Sequence, residues 1–328
     1  MLFGKLNEIR RGTEVYPYVI DAIMPQGNGG MAKLYIAHQK GKTEKVALKI
    51  CNGNDSSFEE SLRLEVVVLK KINDPEGHPN VIKILPLPIP SKYKYPMARA
   101  ISIPGQPWYY AMEYLSGLPV SAYVRGSRGL PELVALLVVQ KITSALMHVH
   151  KAQIAHLDIK TENIVMRFPL KRGNTIDPVL IDFGIAANTK EIQTDSGSLA
   201  FMPPERLEQL QGRVAPEYSR LRVSPDKVDV YGLGVSFFEM MTGRLPFGGF
   251  SRKGLTTGII KHEMARPKIL RPDITERTER LILGMLEKDP QRRPTFEDVM
   301  ANISLPENVK FLDQDIPIHH NWKFLFNQ

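Results

Sequence analysis

Two short runs in this 328-residue chain combine residue types that serve phosphoryl transfer. The first is His156-Leu157-Asp158-Ile159-Lys160-Thr161-Glu162-Asn163, and the second, 24 residues beyond Asp158, is Asp182-Phe183-Gly184. An aspartate, a lysine two positions on, an asparagine three further, and then an aspartate ahead of Phe-Gly form the set of oxygen ligands and charges which that chemistry uses. Mg²⁺ takes oxygen ligands and bridges nucleotide phosphates, so Asp182 and Asn163 supply a carboxylate and a neutral carbonyl for one metal. Asp158 stays available to orient an acceptor hydroxyl and accept its proton, while Lys160 stabilises charge on the transferring group.

Upstream, Val46-Ala47-Leu48-Lys49 places a lysine in an otherwise apolar strand, where an ammonium is costly unless an anion pairs with it. Glu65, on an apolar-striped helix, is the natural partner, with Glu59 and Glu60 as rivals. Gly27-Asn28-Gly29-Gly30-Met31-Ala32 separates two predicted strands and suits a tight turn whose amides approach phosphate oxygens, because no β-carbon intervenes. A glycine-rich hairpin by itself is more often only a turn.

The elements that must position these groups are legible in outline. Alternating β-rich stretches from Tyr18 to Ile50 predict a strand meander, and Leu62, Val66 and Leu69 recur at helical spacing over Phe58 to Ile72. Six prolines within the 22 residues from Pro86 to Pro107 predict an irregular loop or edge hairpin before strand character returns at Trp108. After Gly117 the texture becomes helical: a buried helix beginning near Pro131, then helices over about Val228 to Thr242, Ile274 to Glu287 and Phe296 to Asn302, with Gly243 as a helix stop. The aromatic-bearing segment from Leu305 to Gln328 is expected to pack on the body.

In motif order the chain resembles the eukaryotic-like (Hanks-type) serine/threonine protein kinase family over roughly Tyr18 to Ile303. The resemblance implies an α+β, bilobal protein kinase-like fold: a small antiparallel N-lobe with one main helix over 18–112, a hinge at 113–117 and a mainly helical C-lobe over 118–303. Residues 1–17 are then an N-terminal extension and 304–328 a C-terminal tail. It also implies ATP and Mg²⁺ as cofactors, with ATP in the cleft and γ-phosphoryl transfer to serine or threonine of protein substrates, autophosphorylation included. Gly27, Asn28, Gly29 and Gly30 would cover the phosphates, and Lys49 would hold them while paired with Glu65. Leu34 and Ala47 would contact one face of adenine and Val165 the other, with backbone groups of Glu113 and Leu115 receiving it and Met112 as gatekeeper. Asp158 and Lys160 carry the chemistry, and Asn163 and Asp182 hold metal. Glu205 is expected to pair with Arg293, and Asp229 to brace the catalytic loop. A departure from the family pattern is Leu157, where an arginine is usual, so activity without phosphorylation in the stretch from Thr189 to Ser198, or gating by other means, is expected.

Composition agrees with this class and excludes others. With 43% hydrophobic and 24% charged residues the chain is neither disordered nor collagen-like. The net charge of +8 comes from basic residues scattered among acids, which argues against a nucleic-acid stripe. A single cysteine, Cys51, forms no intrachain disulfide, so a reducing cytoplasm is the expected location. The longest apolar run, Leu133 to Val139, falls short of a membrane span, and no integral membrane association is expected. The alternative is an ATP-binding scaffold that has lost catalysis; its mark would be loss of Lys49, Asp158, Asn163 or Asp182, and all four are present.

Overall fold

The computed structural model of the chain describes residues 9–24, 32–52, 56–88, 96–125, 127–184, 187–188, 198–210, 224–248, 251–303 and 315–317. It divides into two compact units, Met1–Leu115 and Ser116–Gln328.

The first unit contains β1 (Glu14–Val15), β2 (Tyr18–Ile23), β3 (Ala32–Gln39), β4 (Lys45–Cys51), α1 (Ser56–Asn73), β5 (Ile84–Leu85), β6 (Met97–Arg99) and β7 (Trp108–Glu113). The strands form one antiparallel sheet in the order β1-β2-β3-β4-β7-β5, with β6 also on β7. The proline-rich stretch therefore ends in an edge hairpin, Met97 facing Tyr110 and Arg99 facing Trp108. Glu14 and Val15, within the stretch expected as an N-terminal extension, pair with Val19 and Tyr18.

Period-two alternation sorts the sheet into two faces. Tyr35, Ala37, Leu48, Ile50, Tyr109 and Ala111 point into an apolar core closed by Ile9, Val15, Ala98 and Ile103. The register sets Leu34 opposite Lys49 and Ala47 opposite both Ile36 and Met112, so these side chains share the other face. Helix α1 buries Leu62, Glu65, Val66, Leu69 and Ile72, and it packs on β4, β5 and β7.

The second unit contains α2 (Ser121–Val124), α3 (Glu132–Lys151), β8 (Ile154–Ala155), β9 (Ile164–Met166), β10 (Pro178–Leu180), β11 (Ala187–Asn188), α4 (Pro204–Leu210), α5 (Pro225–Thr242), α6 (Arg252–Lys261), α7 (Pro267–Leu270), α8 (Glu276–Met285) and α9 (Phe296–Asn302). An antiparallel-sheet unit with one main helix followed by a mainly helical unit is the α+β arrangement that the sequence predicts. Helix α3 is long and apolar enough to cross a membrane, but Val134, Val138, Ile142, Leu146 and Val149 are buried against α5, α9, β8 and β10, as in a core helix. Helix α5 is buried on nearly every side and ends at Gly243, whose φ of +72° and amide bond to the Glu239 carbonyl make a left-handed stop. In the tail, the Ile316 amide donates to Leu170 and the Asp315 carboxylate accepts from the Arg172 amide, so this described part packs on the unit as expected.

Candidate active site

In the first unit, β4 carries Lys49 and the inward stripe of α1 carries Glu65. The Lys49 ammonium donates to both Glu65 oxygens, at 2.7 and 2.8 Å, and the Glu65 side chain is only 4% exposed. The rivals are engaged elsewhere: Glu59 pairs with Arg99 and Glu60 with Arg63. Burying a carboxylate beside Leu62 and Leu69 is tolerable because its charge is met by a lysine from the facing strand. Leu34, Ala47 and Met112 lie on the same sheet face as Lys49. Leu115 is buried, and the Glu113 amide donates to the Lys83 carbonyl. Gly27, Asn28, Gly29 and Gly30 lie outside the described residues.

In the second unit, Asp158, Lys160 and Asn163 come together. One Asp158 carboxylate oxygen accepts from the Lys160 ammonium at 2.6 Å and from the Asn163 amide at 3.2 Å; the other accepts from the Ser198 amide at 2.9 Å. Asn163 also donates to the Asp158 carbonyl, which turns its own carbonyl oxygen to the opposite side. The Asn163 carbonyl of the main chain accepts from Ile181, the residue before Asp182, and the His156 ring bonds the Ile181 carbonyl. Both candidate metal ligands are thus tied to one backbone junction. Asp182 itself has a φ of +63°, and such conformations persist where the surroundings enforce them.

A carboxylate and an amide oxygen fit Mg²⁺, which keeps several waters and takes its remaining ligands from phosphate. Among the described residues no cluster of three or more His, Cys, Asp or Glu offers an all-protein cage. Val165 on β9 is 6% exposed and bridges to Pro119. Gly117 runs so close to β9 that a β-carbon there would lie 2.2 Å from the Met166 carbonyl oxygen.

Asp229, wholly buried on α5, holds the backbone that leads into Asp158. Its two oxygens accept from the His156 and Leu157 amides at 2.9 and 2.7 Å, and the His150 ring bonds one of them at 2.7 Å. Burial works to raise the Asp229 carboxyl, but the His150 contact and then His156 outweigh it and hold the group below the ordinary aspartate value. These bonds fix Leu157 at a φ of +66°, and the His156 ring packs edge-on against Phe183 with centroids 4.7 Å apart. Further out, Arg293 makes a two-pronged pair with Glu205 at 2.6 and 2.7 Å and stacks on Tyr231. Its other donors go to the carbonyls of Lys227, Glu287 and Lys288, which leaves the fully buried guanidinium satisfied.

Two features escaped sequence reasoning. Ser198 reads in the sequence as a loop hydroxyl, yet its oxygen lies 2.8 Å from the Lys160 ammonium while its amide holds Asp158. Thr161 and Glu239, 78 residues apart, meet at 2.6 Å, with Arg125 bonding both Glu239 and Glu162. Burial pushes the Glu239 carboxyl up, opposed by the Thr161 hydroxyl and then the Arg125 charge. Nothing local in the sequence signals either contact, although Ser198 stands five residues ahead of Pro203-Pro204-Glu205.

A loop with a clasped aspartate, a lysine and an asparagine, joined to an Asp-Phe-Gly turn and braced from a buried helix, is the arrangement that the protein kinase class implies. Over residues 21–303 the sequence matches the protein kinase domain, and the chain belongs to that family. It is 32% identical over 286 residues to the serine/threonine-protein kinase PrkC of Bacillus subtilis, covering 84% of this chain and 39% of that protein. The serine/threonine-protein kinase pkn3 of Myxococcus xanthus is 31% identical over 294 residues, covering 86% and 48%. The human serine/threonine-protein kinase ULK3 is 29% identical over 282 residues, covering 84% and 52%. The chain thus spans about two-fifths to one-half of the length of these relatives.

Proposed function

We propose that this chain is a protein kinase that transfers the γ-phosphoryl group of ATP to serine or threonine hydroxyls of protein acceptors. The observation that carries this reading is the Asp158 carboxylate, held by Lys160 and Asn163 of its own loop and by the Ser198 amide 40 residues on. Asp158 orients the acceptor hydroxyl and takes its proton as the oxygen bonds to the γ-phosphorus; the bond to the bridging oxygen breaks and ADP leaves. Lys160 offsets charge on the equatorial oxygens. Asn163 and Asp182 hold Mg²⁺, which when bound neutralises the phosphates.

In the first unit, Lys49 holds the α and β phosphates, kept in place by Glu65. Leu34, Ala47 and Met112 offer apolar contact to adenine. Because the Glu113 amide is bonded to Lys83, an adenine hydrogen bond at that residue falls to its carbonyl, and a backbone group of Leu115 supplies the second anchor. Gly27, Asn28, Gly29 and Gly30 cover the phosphates. The buried lone thiol of Cys51 suits a reducing compartment such as the cytoplasm.

The test is transfer of labelled γ-phosphate to the chain itself and to generic basic and acidic proteins, with the sites located by mass spectrometry. Phosphoserine or phosphothreonine is expected. Nucleotide-dependent thermal stabilisation with no transfer to any acceptor would point instead to an ATP-binding module.

A further inference from the structure

The catalytic loop is gripped at both ends by one helix. Near the start of α5, Asp229 binds the His156 and Leu157 amides at the loop entry. Ten residues on, about 15 Å along the helix at 1.5 Å per residue, Glu239 reaches the far part of the loop through the Thr161 hydroxyl at 2.6 Å. Thr161 is fully buried and Glu239 is 2% exposed. A carboxylate so enclosed persists only with its charge met and its oxygens bonded, and Arg125 does this, with Nε 3.2 Å from the other Glu239 oxygen and a second bond to Glu162. The main chain closes the clasp. The Thr161 carbonyl accepts from the Ser121 amide at 3.2 Å, and the Arg125 amide donates to the Ser121 carbonyl at 3.1 Å.

Thr161 lies between Lys160 and Asn163, whose backbones are themselves bonded, the Asn163 amide to the Lys160 carbonyl at 2.9 Å. A residue held on its side-chain and carbonyl sides in this way dictates where both neighbours point. We propose that Thr161, Glu239 and Arg125 are positioning residues for phosphoryl transfer. With α5 as a ruler, they set the spacing between the base and cation at Asp158 and Lys160 and the metal ligand at Asn163. This deepens the kinase reading and rests on it. It also supplies, from within the unit, order at a loop whose position 157 is an uncharged leucine.

The experiment compares Thr161→Val, Thr161→Ser and Arg125→Met with the full wild-type chain. It reads kcat, KM for the acceptor, the Mg²⁺ concentration for half-maximal rate, and amide hydrogen exchange at Asn163 and Ser121. Thr161→Val keeps the shape and removes the hydroxyl; we expect kcat to fall about ten- to hundredfold with acceptor KM unchanged, the Mg²⁺ requirement to rise, and both amides to exchange faster. Thr161→Ser should restore all four. Should Thr161→Val fail to fold, Arg125→Met, altered at a half-exposed guanidinium, is expected to show the same pattern to a smaller degree. Wild-type kcat and exchange in these variants would overturn the proposal. So would an Arg125→Met that changes only KM for basic acceptors, because the acids would then read the acceptor and not set the loop. If the wild type transfers no phosphate, the kinase reading fails by itself, while the exchange rates still decide whether the clasp orders Asn163.

Discussion

Lys49 and Arg293 are cations held in apolar surroundings by a single carboxylate each, and their surroundings differ in what loss would do. The Lys49 side chain keeps 18% of its surface exposed, so Lys49→Met should fold, bind nucleotide more weakly and lose on the order of 10²-fold or more in kcat/KM, read by steady-state kinetics against ATP. Arg293 is fully buried with every donor engaged. Glu205→Gln strands its charge and should cost about 3–5 kcal/mol of stability, measurable by urea unfolding. Asp229 adds a pH term. Its carboxyl is held below the ordinary aspartate value in the folded protein; the stability this gives is fully present above that ordinary value and is lost as pH falls through the folded one. Asp229→Asn should therefore lower the melting temperature at neutral pH and flatten the acid limb of a stability profile. Leu157, buried and uncharged, gives a phosphorylated loop no guanidinium to order against. Phosphatase-treated and untreated chains should turn over at similar rates, and a large loss on treatment would contradict this.

Among the elements, β3, β4, α1, α3, α5 and α9 were legible because each carries its own period: alternation on the strands, three- and four-residue spacing on the helices. The two-residue strands were not, since Glu14–Val15 and Ile84–Leu85 are too short for any pattern and exist by pairing with neighbours already in place. The candidate site divides the same way. Asp158, Lys160, Asn163 and Asp182 stand in two local runs, and Glu65 could be preferred over Glu59 and Glu60 because it falls on the buried stripe of α1. The grip of Ser198 on Asp158 and of Glu239 on Thr161 spans 40 and 78 residues, and residue type alone does not choose among many such pairs. Gly243 makes an element-scale test. Its φ is +72° and a β-carbon would lie 2.1 Å from the Ser127 carbonyl oxygen, so Gly243→Ala should destabilise by at least about 1–2 kcal/mol for the backbone conformation alone, with the clash adding to it in thermal unfolding.

At the scale of the molecule, the family membership agrees with the proposed roles, in which Lys49 of the first unit would hold phosphate and Asp158, Asn163 and Asp182 of the second would supply the base and metal ligands. Binding and transfer are separable in that division. The most direct test is therefore the rate of γ-phosphate transfer from ATP at saturating Mg²⁺ by wild type and Asp158→Asn, with ATP-dependent thermal stabilisation measured on both. The account predicts a loss of about 10²–10⁴-fold in transfer for Asp158→Asn with nucleotide stabilisation retained. Equal transfer by the two proteins would contradict it.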